Sequence, residues 1–183
     1  MKRIYIGIFL TILFAPYVLG QQQSMSNHFS VKGISIGKQA IEFANAVVAT
    51  NTMLFEYNDT DRREIKLQGN FAGYSNSEMF IFYTATTKSI SSIEIDLSYG
   101  TRTRYEDLLS LYTEKYGAPN KKDTVVDSLY YSSKYYSFKT KWELPQGNII
   151  INLFSDGMYI VYQDKINMSL IDRENTDAIK RDI

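Results

Sequence analysis

The chain contains no cysteine and a single histidine among its 183 residues. Each scarcity closes a route. Without cysteine there is no disulfide, no thiolate nucleophile, no thiolate metal site and no attachment point for a lipoprotein anchor. The lone His28 sits in a polar leading segment, which removes Ser-His-Asp and Cys-His catalysis and any metal centre built on several imidazoles. No glycine-rich phosphate loop is present, because Gly33 and Gly37 fit neither nucleotide pattern. An excess of one charge is also missing. Lys plus Arg and Asp plus Glu number 20 each, so no strong field favours nucleic acid or an anionic membrane. None of this implies a cofactor.

What is present reads as an ordinary globular chain. Hydrophobic residues make up 44% and charged residues 22%, enough for one domain with a sizeable core. Residues 1–20 read as a secretory signal peptide: Lys2 and Arg3 are the positive start, Ile4 to Ala15 the apolar run, and Val18-Leu19-Gly20 the cleavage site. That run is shorter than the roughly 20 residues a spanning helix needs. The expectation is a protein outside the cytoplasm, periplasmic or secreted, with no integral membrane segment after cleavage. Residues 21–32 read as a flexible lead-in.

The clearest helix runs from Thr103 to Pro119. Tyr105, Leu108, Leu109, Tyr112 and Tyr116 share one face at helical spacing. Thr103 with Glu106 fits a capping box, and Gly117 and Pro119 stop the helix. An earlier helix is expected at about Lys38 to Ala49, with Ala40, Ile41, Ala44, Val47 and Val48 on its inner face. Strand alternation follows in Met53–Tyr57, Ile65–Phe71, Glu78–Thr84 and Ile93–Leu97, with turns at Asn58–Asp61 and Gly73–Asn76. After the long helix, Asn120–Asp127 is polar and weak in signal. Leu129–Leu144 reads as one long strand or two short ones, and Ile149–Phe154 and Met158–Gln163 form a hairpin about Ser155-Asp156-Gly157.

The expected fold is therefore α+β: two consecutive helix-plus-antiparallel-strand units, residues 33–100 and 101–166 of a single domain, with the helices packed on one face of the antiparallel sheet. Residues 167–183 form a tail with loosely helical spacing.

Several pieces carry a resemblance. Lys32-Gly33-Ile34, Phe71-Ala72-Gly73-Tyr74, Glu114-Lys115-Tyr116-Gly117-Ala118-Pro119 and Tyr162-Gln163-Asp164-Lys165-Ile166-Asn167, in that order around the two helices, resemble a family of uncharacterised secreted proteins of the Bacteroides group. The resemblance covers nearly the whole chain after residue 20 and implies location and fold, since that family has no assigned activity. The family often carries a cysteine just after Phe-Ala-Gly-Tyr, where this chain has Ser77. The doubled helix–sheet unit is also similar in topology to the β-lactamase-inhibitor-protein-like architecture, which implies binding of another macromolecule.

Two chemistries remain open. Glu94 and Asp96, at i and i+2 on a strand, share its wet face and could serve acid–base hydrolysis of a glycan. Asp59 and Asp61 lack the regular ligand series of a calcium loop and read as a polar turn. The segment Tyr130–Phe138 is more unusual, with five aromatics in nine residues. Alternation puts Tyr130, Tyr136 and Phe138 on one side of a strand, and Tyr131 and Tyr135 on the other. Tyrosine brings large contact area at small entropic cost, so Tyr130, Tyr131, Tyr135 and Tyr136 are the candidate binding residues. Trp142 is expected in the core. The leading functional reading is an exported, non-enzymatic binding or inhibitor-like protein with a protein or glycan partner. The alternatives are a carboxylate-dependent hydrolase of envelope or host glycans and a structural accessory of envelope assembly.

Overall fold

The computed structural model describes residues 30–31, 33–36, 39–128, 134–155 and 157–181. The expected signal peptide lies outside them, as does the lead-in apart from Ser30 and Val31. The elements are β1 (Ser30–Val31), β2 (Ile34–Ser35), α1 (Ala40–Val48), β3 (Met53–Asp59), β4 (Glu64–Phe71), β5 (Tyr74–Tyr83), β6 (Ile90–Asp96), α2 (Arg102–Tyr116), β7 (Lys121–Ser128), β8 (Lys134–Glu143), β9 (Gly147–Leu153), β10 (Met158–Asp164) and α3 (Lys165–Arg181). Strands β3 to β10 form one eight-stranded sheet in the order β3-β4-β5-β6-β10-β9-β8-β7, with every pairing antiparallel. The fold is α+β.

Strand alternation sorts the side chains. Ile65 and Leu67, Met79 and Ile81, Ile93 and Ile95, Met158 and Ile160, and Ile149 and Ile151 are each fully or nearly fully buried in one core. Burying a side chain of this size contributes about 1.5–3 kcal/mol, which is the main force holding the sheet to its helices. Helix α1 adds Phe43, Ala44 and Val47 to the core, and α2 adds Tyr105 and Leu108.

The sequence placed α1's inner face slightly wrong. Ile41 is 40% exposed, while Phe43, absent from the expected set, is fully buried. The strong aliphatic spacing hid the aromatic between the alanines. At α2 the cap is Thr101, whose hydroxyl accepts from the Arg104 amide at 3.2 Å, and not Thr103. Glu106 pairs with Arg102 one turn away instead of reaching back to a cap. Strand β7 occupies the stretch whose polar sequence gave little signal. An edge strand needs no continuous apolar face, and charged side chains there discourage further pairing.

Two glycine-bearing pieces shape the sheet. Ala72 and Gly73 have φ of 52° and 85°, the positive values that a two-residue type I′ hairpin requires. They join β4 to β5, and the Gly73 amide donates to Asn70 Oδ1 at 3.2 Å. The turn thus falls one residue earlier than the sequence implied, and Tyr74 already belongs to β5. At Gly69, φ is 157° and a Cβ would lie 2.3 Å from the Thr52 carbonyl oxygen, so no side chain fits where β4 passes the start of β3. Ser77, at the position of the resembling family's cysteine, is fully buried and donates its hydroxyl to the Tyr74 carbonyl at 2.9 Å.

Candidate functional site: the open face of the sheet and an aromatic rim beside α2

The residues that alternate with the core set form a second, wetter face. Cross-strand registers align them in rows. One row reads Lys66, Phe80, Glu94, Val161, Ile150, Lys141. The next reads Gln68, Glu78, Asp96, Tyr159, Asn152, Lys139. Acids therefore gather on β5 and β6, and lysines on β8. Most of these charges are matched. Lys66 pairs with Glu78 at 2.9 Å and Glu56 at 3.1 Å, and Lys141 pairs with Glu143 at 2.6 Å. The side-chain oxygens of Asn148 and Asn152, flanking Ile150 on β9, are buried with no hydrogen-bond partner among the described residues.

Helix α3 touches β6, β10 and β9 and sits over part of this face. Asp164 caps its start by accepting from the Asn167 amide at 2.8 Å, and Asn167 Nδ2 donates to the Ile90 carbonyl at 2.9 Å. Farther along, Glu174 accepts from Arg63 at 2.8 Å, from the Ala85 and Thr86 amides at 2.9 and 3.0 Å, and from the Thr86 hydroxyl at 2.9 Å. Burial works to raise the Glu174 pKa, but these donors and the Arg63 charge outweigh it and hold the carboxyl below its ordinary value. Between α3 and the sheet lies a groove of about 250 Å³, with Arg62 and Arg63 from the β3–β4 turn, Phe82, Ser92 and Glu94 from the strands, and Met168 and Ile171 from the helix.

Glu94 and Asp96 do share one side of β6, as their spacing implied, but their surroundings differ. Asp96 accepts from the Ser98 amide at 2.7 Å and lies outside the groove. Glu94 lines the groove. It is solvent-exposed, yet partial burial of its carboxyl group raises its pKa, and the like charge of Glu64 adds to the rise. Asp59 serves its turn by accepting from the amides of Asp61 and Arg62, both at 3.0 Å.

Of the nominated tyrosines, Tyr130 and Tyr131 lie outside the described residues. Tyr135 falls on β8, in register with Asp127 of β7. Tyr136 is 50% exposed and stacks on Phe138, with centroids 6.4 Å apart and an interplanar angle of 19°. The Arg102 guanidinium lies 3.9 Å from the Phe138 centroid, so the two rings and the cation form a rim beside the start of α2. Trp142 is buried, as expected, and its Nε1 donates to the Gly117 carbonyl at 2.9 Å. The Lys-Tyr-Gly-x-Pro piece thus ends α2 and receives the core tryptophan.

The sequence did not reveal a buried tyrosine cluster. The hydroxyls of Tyr112 and Tyr162 are hydrogen-bonded to each other, and burial pushes both pKa values well up. The hydroxyl of Tyr116 beside them is buried and unpartnered among the described residues. The recurrence of tyrosine on the inner face of α2 was the available signal, but its partner Tyr162 comes from a distant strand. Among the described residues, no helix is long and apolar enough to cross a membrane. A scan of protein-family models and searches of curated proteins and of solved structures each find no match for this chain.

Proposed function

We propose that this is an exported, non-enzymatic binding protein that holds a protein or glycan partner against the aromatic rim led by Tyr136. One contrast carries the reading. Among the described residues no carboxylate is buried, whereas Tyr136 presents a half-exposed ring already stacked on Phe138 and backed by Arg102. A pre-positioned ring loses little freedom when a partner covers it. Hydrolysis of a glycan would call for two carboxyls facing one cleft. Of the Glu94–Asp96 pair only Glu94 lines the groove, which favours binding over catalysis. A structural accessory would offer a flat surface, and the groove under α3 argues against that.

The finer architecture belongs to this reading. Two units, β3–β6 with α1 and β7–β10 with α2, would place those helices on the core face, with the Tyr136 rim at the edge of that same face beside α2 and the other face left open to partners. Support comes from α1, which touches β3, β4 and β5, and from α2, which touches β9. The kinship to secreted proteins of the Bacteroides group, the likeness to the β-lactamase-inhibitor-protein-like architecture, a periplasmic or secreted location, and a share of the contact for Tyr130, Tyr131 and Tyr135 are part of the same proposal.

The test is capture of partners from an envelope and glycan extract by tagged Gln21–Ile183, beside Tyr136→Ala and the pair Tyr131→Ala/Tyr135→Ala. A partner held by the wild type and lost with Tyr136→Ala is the expected result. Equal capture by all three proteins would place binding elsewhere.

A further inference from the structure

The β4–β5 hairpin and the loop that joins β6 to α2 enclose a hollow of about 360 Å³. Tyr74, Ser75 and Asn76 line it from the hairpin, Ser98 and Tyr99 from the loop, and Arg104 from α2. Its walls hold unusual backbone. Between the pairs Gly69↔Ser77 and Phe71↔Tyr74, β4 has one residue and β5 two, so Ser75 and Asn76 form a bulge. Asn76 has a φ of 59° and Ser98 one of 55°. The Tyr99 amide returns to the Leu97 carbonyl across Ser98, a γ-turn of the rare positive-φ kind. The Ser98 hydroxyl donates to the Asn76 carbonyl at 2.7 Å and ties the two walls together. With Ala72, three of the six non-glycine residues of positive φ among the described residues lie in or next to this hollow. Strain of this kind gathers at ligand sites, where the surrounding fold holds it in place. The side chains so presented are not used by the fold. Tyr99 is 73% exposed, and its side chain has no ring or hydrogen-bond partner among the described residues. The Arg104 guanidinium lies 5.1 Å from the Tyr74 centroid and has no ion pair there. The Asn76 side-chain amide has no partner there either.

We propose that this hollow binds a pyranose sugar of a glycan. A pyranose has a face of C–H groups and a girdle of hydroxyls. The Tyr99 ring covers the C–H face, as an amphipathic ring suits. The Arg104 fork donates to two neighbouring hydroxyl oxygens, and the Asn76 amide both donates and accepts. The volume falls in the range of small-molecule sites, roughly 300–1,000 Å³. An extended peptide would need a free strand edge, and β4, β5 and β6 are each paired on both sides. The site is separate from the Tyr136 rim, which is built from β8 and Arg102, and it stands or falls on its own.

The experiment follows backbone amide signals of Gln21–Ile183 by NMR. The probes are the methyl pyranosides of glucose, galactose, mannose, N-acetylglucosamine and glucuronic acid, with cyclohexanol as a ring that lacks the hydroxyl girdle. The amides of Asn76, Ser98 and Tyr99 should shift with at least one pyranoside and stay in place with cyclohexanol. Tyr99→Ala should weaken that binding about fivefold, the order of one aromatic contact. Arg104→Lys keeps the charge and loses the fork, and should weaken it about threefold. Leu54→Ala, on β3 and as exposed as Tyr99, should bind as the wild type does. No shift with any pyranoside, an equal shift with cyclohexanol, or undiminished binding by Tyr99→Ala overturns the proposal. Shifts confined to Tyr136 and its neighbours would overturn this site while keeping the rim as a binding surface.

Discussion

Helices α2 and α3 are close in length, 15 and 17 residues, yet they are attached by opposite means. Helix α2 is held by area. Tyr105 and Leu108 are buried, the Tyr105 hydroxyl meets Thr140 Oγ1 at 2.7 Å, and the Tyr112 ring lies 5.8 Å from that of Trp142. Helix α3 is held by points. None of its described residues is fully buried, and Ile166 is 72% exposed. Its hold comes from half-buried contacts at Met168 and Ile171, the cap at Asp164, Asn167, and above all Glu174 with its four donors. Attachment by area opens only when the core opens. Attachment through one carboxylate gives a local unit that can be released alone.

The largest effect should come from the seat of α2. Trp142→Ala removes a buried ring and its bond to Gly117, and should cost about 3–5 kcal/mol in urea unfolding. The loss should be global, with α2 and the sheet unfolding together. Amide exchange faster in α2 alone would contradict a helix held by the shared core.

Glu174→Ala should cost less, about 1–3 kcal/mol, because it leaves the Ala85 and Thr86 donors to find water. The effect should be local, with faster amide exchange in α3 and little change in the sheet. Acid provides the same test in the wild type. A carboxylate whose folded pKa is depressed contributes its stability above its ordinary value of 4.5, and loses it as pH falls through the folded value. Exchange in wild-type α3 should therefore quicken below about pH 4.5, and Glu174→Ala should lack that step. A wild-type α3 indifferent to acid would remove the distinction between the helices.

The smallest effect should come from a site that touches neither helix's hold. Ala72 is exposed and carries a φ of 52°, which costs an L-residue about 1–2 kcal/mol and glycine little. After glycine's larger unfolded-state entropy is subtracted, Ala72→Gly should stabilise by roughly 0.5–1 kcal/mol. It should raise the thermal midpoint while leaving the ratio of exchange rates in α2 and α3 as it was.

Much of this was legible beforehand where periodicity is strong. Ile65 and Leu67, Ile93, Ile95 and Leu97, and the hairpin around residues 155–157 announced themselves by alternation. The long helix announced itself by its tyrosines and its Gly-x-Pro stop. Legibility failed where the deciding contact is distant in sequence. The polar sequence of β7 becomes a strand because β8 offers it a ladder from Lys121↔Lys141 to Ser128↔Lys134. The tail becomes a helix of 17 residues, and its Glu174 finds Arg63 across 111 positions. The candidate site was legible only in part. Composition pointed to Tyr136, and spacing put Glu94 and Asp96 on one side of a strand, but nothing in the chain's order showed that only Glu94 would line a groove beside α3.

The sequence by itself determined the α+β character, the lack of any cysteine chemistry, and which side chains of β4 and β6 turn to the core, because these depend on residue type and on periods of two and 3.6. The tertiary structure decided the order β3-β4-β5-β6-β10-β9-β8-β7, the pairing of Tyr112 with Tyr162, and the place of Glu94 in the groove beside α3. Those features arise only when segments far apart in the chain compete for the same neighbours, and that competition is settled by packing and pairing across the whole sheet.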